Sequence, residues 1–116
     1  MKRIIKADTN IDPLFKHIED QIWATLSKYM HGPKGGFPKG DDEWKEYTRV
    51  EIGDYADDPS LIEVQVRSEF LVDFSSAIEI SNKLDRVVEK YDPDSYFDVL
   101  DAGILVAYLD KGILNR

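Results

Sequence analysis

Residues 61–70, Leu-Ile-Glu-Val-Gln-Val-Arg-Ser-Glu-Phe, decide the fold class, because apolar and polar side chains alternate along them. The apolar members that share one side of the extended chain are Ile62, Val64, Val66 and Phe70. A period of two predicts a strand with one buried and one solvated face. Residues 44–55 alternate in the same way, and turn-forming residues at 56–60 separate the two segments. Together they predict an antiparallel hairpin.

Amphipathic helices are predicted on both sides of this hairpin. Between residues 11 and 30, apolar residues recur at steps of three and four, so they form one stripe on a helix. Pro13 suits the first turn of this helix, and Gly32 suits its end. A second apolar stripe follows the capping box formed by Ser76 and Glu79.

The segment 96–109 is rich in β-forming residues and contains Asp101-Ala102-Gly103 near its centre. These three residues predict either a hairpin loop with the glycine in the left-handed conformation or a bulge inside one long strand. The hairpin is the favoured alternative. The residues expected in the core of the domain are Ile18, Ile22, Leu26, Val50, Ile52, Val64, Val66, Leu84, Val87, Ile104 and Val106.

These elements predict a single α+β domain over residues 1–116, a two-layer sandwich with two helices on one face of a mostly antiparallel sheet. A strand over residues 2–6 would give the order βαββαβ, which is similar to the ferredoxin-like arrangement. A frayed terminus over residues 1–10 is the alternative. Residues 31–42 hold four glycines and two prolines, so we expect a mobile loop there.

Composition narrows the classes of function. The chain has no cysteine, which excludes a disulfide framework, thiol catalysis and thiolate metal sites. The net charge is −8, because residues 1–40 carry 7 − 4 = +3 and residues 41–116 carry 8 − 19 = −11. An acidic domain repels nucleic acid and anionic membranes, so neither is an expected partner. The sequence has no signal peptide or long apolar segment, so we expect the protein in the cytoplasm.

Two segments resemble known binding loops, but their residue spacing or structural context does not match those loops. Gly35 and Gly40 have the glycine spacing of a phosphate-binding loop, but Asp41 stands where that loop requires lysine. The acidic segment 92–98 lacks the central glycine of a calcium loop. The two histidines have no partner at a spacing typical of catalysis. We therefore assign no catalytic, cofactor-binding or metal-binding residue and expect no cofactor.

The absence of such motifs favours a small acidic, non-catalytic interaction or regulatory protein whose partner is another protein. The alternatives are a small enzyme whose carboxylates meet only in the fold and an acidic inhibitor that mimics nucleic acid. The predicted interaction surface consists of Trp23, Met30 and Phe37, since tryptophan and methionine are enriched at interface cores. The competing interpretation is that these residues widen the core. A homodimer is compatible with the sequence, which does not determine the oligomeric state.

Overall fold

The structure, a computed structural model of the 116-residue chain, describes residues 13–30, 43–71 and 74–115. Its elements in chain order are α1 (Pro13–Met30), α2 (Glu43–Glu46), β1 (Thr48–Asp54), β2 (Leu61–Ser68), α3 (Phe74–Val88), β3 (Phe97–Asp101), β4 (Ile104–Asp110) and a final 3₁₀ segment, Lys111–Asn115. The predicted strand at 2–6 and the predicted loop at 31–42 lie outside the described residues. None of the helices in the described ranges has the length and apolar composition that a membrane crossing requires.

The four strands form one antiparallel sheet in the order β1-β2-β4-β3. β2 and β3 run parallel to each other, since both pair antiparallel with β4, which lies between them. Helices α1 and α3 pack against this sheet and against each other, which confirms the predicted two-layer α+β sandwich. Two strands follow α3, where the ferredoxin-like order has one.

The core lies between the helices and the sheet because each element turns its apolar side inward. Of the residues expected there, the buried ones that belong to the core are Ile18, Ile22, Leu26, Val64, Val66, Leu84 and Val87. Val50 and Ile52 are half-buried, because β1 is an edge strand whose outer side has no neighbour in the described sheet. Each fully buried aliphatic side chain contributes roughly 1.5–3 kcal/mol through removal of apolar surface from water.

Of the two residues of β4 expected in the core, Val106 is buried as predicted, whereas the prediction for Ile104 is wrong, because Ile104 is only half-buried. In the β2–β4 pairing Arg67 lies opposite Ile104 and Val66 opposite Leu105, so Leu105 takes the core side and Ile104 the outer side. Val106 is buried, but it lies on the outer face of the sheet. Residues 104–109 are apolar throughout, so alternation does not fix the phase of this strand, and a shift of one residue exchanges its faces.

The strand predicted over residues 44–55 is shorter, because its first part forms the single turn of α2. The carbonyl oxygen of Trp44 accepts the backbone N–H of Tyr47 at 3.2 Å and the Oγ1 hydroxyl of Thr48 at 2.6 Å. These two bonds curl the chain before β1 begins. The Trp44 side chain is nevertheless fully buried. Its apolar character therefore predicts its burial correctly, although the backbone is helical rather than extended.

The predicted hairpin between β3 and β4 is confirmed, and its loop consists of Ala102 and Gly103. The register also shifts between Val99 and Asp101, so a bulge occurs within β3 itself. The backbone of Gly103 is not in the left-handed region, contrary to the prediction. Glycine is needed there for space, since a Cβ atom would lie 2.7 Å from the carbonyl oxygen of Ser68.

Candidate functional site

The residues predicted to form an interaction surface occupy different environments in the structure. Met30 is fully buried in the core, so it offers no exposed surface in this conformation. Trp23 is half-buried, and its ring lies 5.9 Å from that of Trp44, centroid to centroid. The indole N–H of Trp23 donates to a carboxylate oxygen of Glu19 at 3.3 Å. Phe37 lies outside the described residues, and a partner-binding role for Trp23 with Phe37 stays a prediction.

A different feature stands out between the two long helices, a cleft of about 280 Å³ that we call the basic cleft. Its lining residues are Thr25, Lys28, Tyr29, Lys83, Arg86, Val87 and Lys90. The charged members are all cations, and no carboxylate of the described residues lines the cleft. This concentration of positive charge contrasts with the net charge of −8 for the chain as a whole.

Helical geometry explains why these side chains converge. Lys83, Arg86 and Lys90 are separated by three and four residues, so they follow one side of α3 and of the turn beyond it. Lys28 and Tyr29 lie in the last turn of α1. The two helices pack antiparallel, since the end of α1 meets Lys83 while His17, near its start, contacts Tyr91 beyond the end of α3.

The ring of Tyr29 holds two of the ammonium groups in place. The Nζ atom of Lys83 lies 5.1 Å from the ring centroid and that of Lys28 lies 5.8 Å from it. Both distances fall within the range of cation–π attraction. None of the four cations of the cleft forms an ion pair with a carboxylate of the described ranges. An anion from outside would therefore meet no described carboxylate that competes for these donors.

Part of this charge has a structural explanation. Lys28 and Arg86 lie in the last turns of α1 and α3, where the partial negative charge of a helix C-terminus favours cations. Lys90, just beyond α3, adds to the same effect. Lys83 lies more than one turn before the end of α3, where this effect has faded. Helix-end compensation also gives no reason for cations of two helices to face one shared cleft.

No described residue group forms a metal centre, since no set of three or more His, Asp or Glu side chains in those ranges converges suitably. Among the described residues, two carboxyl groups have perturbed pKa values, and neither lines the basic cleft. Burial raises the pKa of Asp85, and the hydrogen bonds from Ser60 lower that of Asp58. The described side chains of the cleft offer positive charge and N–H donors, which suit the electrostatic binding of an anion.

Sequence reasoning missed the basic cleft, although part of its signal was present. The spacing of Lys83, Arg86 and Lys90 marks a basic side of the second predicted helix. The contribution of Lys28 and Tyr29 depends on how two helices cross, which is a tertiary property. Comparisons with protein-family models, with curated proteins and with solved structures each found no match to this chain.

Proposed function

We propose that this protein is a small non-catalytic regulatory protein that binds a phosphate monoester group in the basic cleft. The observation that carries the proposal is the convergence of four cations in a chain of net charge −8, with no carboxylate among the described residues that line the cleft. Clustered like charges destabilise the free protein, so a site of this kind is best explained by an anion that it binds.

Phosphate is the anion that these donors suit. Lysine offers three N–H donors around a point charge, arginine offers a planar fork, and phosphate oxygens accept from both. The cleft volume of about 280 Å³ is slightly below the usual range for pockets that enclose a drug-sized ligand. It therefore suits one phosphate group, with the remainder of the ligand lying outside.

The phosphate can belong to a phosphorylated side chain of a protein partner or to a small metabolite, and the chemistry of recognition is the same. We favour the protein partner, because the exposed cations Lys28, Arg86 and Lys90 leave the cleft open to a chain that lies along it. Nucleic acid is a poor candidate, since the overall charge repels a polyanion. A cysteine-free chain with this specificity suits the cytoplasm, where phosphorylated proteins and metabolites abound.

Two alternatives gain less support from the described residues. A nucleic-acid mimic needs rows of carboxylates on one face, whereas the outer face of the sheet mixes Arg49 and Arg67 with Glu51 and Glu63. A carboxylate-based enzyme needs perturbed carboxyl groups in a cavity. Asp85 has a raised pKa, but its carboxylate is already engaged by a backbone N–H.

The test compares variants in phosphate and in chloride at equal ionic strength. Lys83→Gln removes a cation of the cleft, and Lys16→Gln removes an exposed cation of α1 that lies outside it. Bound phosphate at a hundredfold excess over Kd stabilises the folded state by about 2.7 kcal/mol. Phosphate also stabilises proteins generally. The proposal therefore requires that Lys83→Gln lose most of the extra thermal stability while Lys16→Gln keeps it.

The second part of the test identifies the source of the phosphate. A phosphoserine peptide, its unphosphorylated form and glycerol phosphate are titrated separately, and amide chemical shifts of Tyr29 and Lys83 are followed. Tighter binding of the phosphopeptide indicates a protein partner, and equal binding of glycerol phosphate indicates a metabolite. If phosphate perturbs wild type and Lys83→Gln alike, the proposed function is wrong.

A further inference from the structure

A second depression lies at the far end of the sheet from the β1–β2 turn and is distinct from the basic cleft. Its volume is about 810 Å³, and it is formed by the end of α2, the start of β1, the end of β2 and the β3–β4 loop. The chemically active side chains that line it are Glu46, Tyr47, Arg49, Arg67, Glu69 and Asp101. Unlike the basic cleft, it brings both signs of charge together.

Arg49 and Arg67 lie directly opposite each other in the β1–β2 register. Like charges in this arrangement destabilise a strand pair, and both arginine side chains are exposed. Glu46 and Glu69 are exposed beside them, yet within the described ranges none of these four groups forms an ion pair. Among the described residues, two positive and three negative side chains, counting Asp101, therefore line one depression without forming an ion pair.

Hydrogen bonds next to the depression join the two strands that carry the arginines. The hydroxyls of Thr48 and Ser68, both buried, lie 2.8 Å apart. Ser68 Oγ also accepts the backbone N–H of Phe70 at 3.1 Å, and Ser68 N–H donates to the carbonyl of Gly103 at 3.0 Å. Since Arg49 follows Thr48 and Arg67 precedes Ser68, this network fixes the backbone from which both guanidinium groups extend.

An aromatic surface completes the site. The ring of Tyr47 stacks on that of Phe70 with centroids 5.7 Å apart and an interplanar angle of 29°. The stack restrains Tyr47, which is nevertheless 43% exposed. A planar or apolar group of a ligand can therefore pack against Tyr47 without displacing another side chain.

We infer that this depression binds a small zwitterion of the amino-acid type. Arg49 and Arg67 hold the carboxylate, the carboxylates of Glu46, Glu69 and Asp101 surround the ammonium group, and the apolar part lies on Tyr47. A simple anion meets three like charges in the depression, and a simple cation meets two, whereas a zwitterion finds a partner for each sign.

Three small ligands of similar shape, which differ in the charged groups they carry, test this inference. L-Phenylalanine carries both charges, 3-phenylpropionate only the negative one, and phenethylamine only the positive one. Each is titrated at constant ionic strength while the amide chemical shifts of Tyr47, Arg67 and Gly103 are followed. We expect L-phenylalanine to bind at least about tenfold more tightly than either single-charge probe, because each of those probes lacks one charge-assisted hydrogen bond.

Variants distinguish recognition of charge from packing on the aromatic ring. Arg67→Gln and Glu69→Gln alter exposed side chains, so both should fold and should each weaken L-phenylalanine about tenfold or more. Arg86→Gln, in the basic cleft, is the charge-matched control and should leave this affinity unchanged. The inference is overturned if the three probes bind equally, which would indicate stacking on Tyr47 alone, or if no probe shifts these amides. Neither outcome bears on phosphate binding between the helices.

Discussion

The carboxylate of Asp85 accepts the backbone N–H of Phe97 at 2.6 Å, which ties the last turn of α3 to the first residue of β3. Two effects act on this carboxyl group in opposite directions. Its burial raises the pKa above the ordinary value of 3.8, and the bond from Phe97 lowers it. Burial is the larger effect, and the nearby Glu89 and Asp98 raise the pKa further.

A pH dependence follows from this raised pKa. A carboxyl group whose pKa is higher in the folded state stabilises the protein fully below 3.8 and loses that contribution as the pH rises through the folded value. Asp85→Asn removes the titration. The free energy of unfolding of wild type minus that of Asp85→Asn should therefore fall as the pH increases, as measured by urea unfolding. A difference that grows with pH would mean that the bond to Phe97 outweighs burial. Asp94→Asn is the control, because Asp94 is exposed and is not among the carboxylates that raise the pKa of Asp85.

Leu84→Ala tests the packing of α3 on the sheet. Leu84 is fully buried in the core, so its truncation should lower the free energy of unfolding by about 2–5 kcal/mol. Leu100→Ala makes the same chemical change at a residue that is 62% exposed and should alter stability by less than about 0.5 kcal/mol. Urea unfolding of both variants measures the contrast. A loss below about 1 kcal/mol at Leu84 would show that α3 is placed wrongly.

Two glycines allow a matched test of close backbone approach. Gly103→Ala would place a methyl group 2.7 Å from the carbonyl oxygen of Ser68, so the β3–β4 loop must move away from β2. We expect a destabilisation of about 1–3 kcal/mol. Gly53→Ala meets no atom within 4 Å and should be neutral or stabilising by up to about 1 kcal/mol. Equal thermal midpoints for the two variants would contradict the close contact.

The two tryptophans should differ in their contribution to stability. Trp44 is fully buried, so Trp44→Ala should cost about 3–5 kcal/mol. Trp23 is half-buried against it, so Trp23→Ala should cost less but should still lower the thermal midpoint measurably. An unchanged midpoint together with loss of a protein partner would support the interaction surface predicted from the sequence.

The basic cleft should cost stability when it is empty. Arg86→Gln relieves repulsion from the other three cations of the cleft, which have no carboxylate partner in the described ranges, but it also removes the attraction of Arg86 to the C-terminal end of α3. We expect the relief to be the larger effect, because two of these cations are like-charge neighbours of Arg86 at helical spacing. The substitution should raise the free energy of unfolding at low salt by a few tenths of a kcal/mol, about the size of one like-charge helix pair. Lys16→Gln instead removes the ion pair with Asp20 at 3.1 Å and should lower stability slightly. Both differences should shrink in 1 M salt.

The elements that sequence reasoning predicted correctly are those whose periodicity is interrupted by polar residues. The alternation around Val64 and the stripe that contains Leu84 each fix which side is buried. The run 104–109 lacks such interruptions, and its phase was consequently wrong. The apolar–polar pattern predicts a strand at Trp44, because the hydrogen bonds that its carbonyl oxygen accepts from Tyr47 and Thr48 leave no trace in such a pattern.

The candidate sites were less predictable than the fold, because they combine residues that are distant in the chain. Lys28 reaches Lys83 only through the antiparallel packing of α1 and α3. Arg49 meets Arg67 only through the register of the hairpin, which turn length and alternation together determine. The position of Met30 on a helical wheel predicts an exposed side chain, yet contacts with residues beyond its own helix bury it.

The position of β4 between β2 and β3 has a consequence for how the chain is made. On the ribosome the β1–β2 hairpin and α3 can form from neighbouring residues, but β2 and β3 cannot pair with each other. Their facing edges stay unpaired until residues 104–110 emerge and enter the gap. A nascent chain that stalls earlier presents two open strand edges, the kind of surface that chaperones shield and that otherwise leads to aggregation.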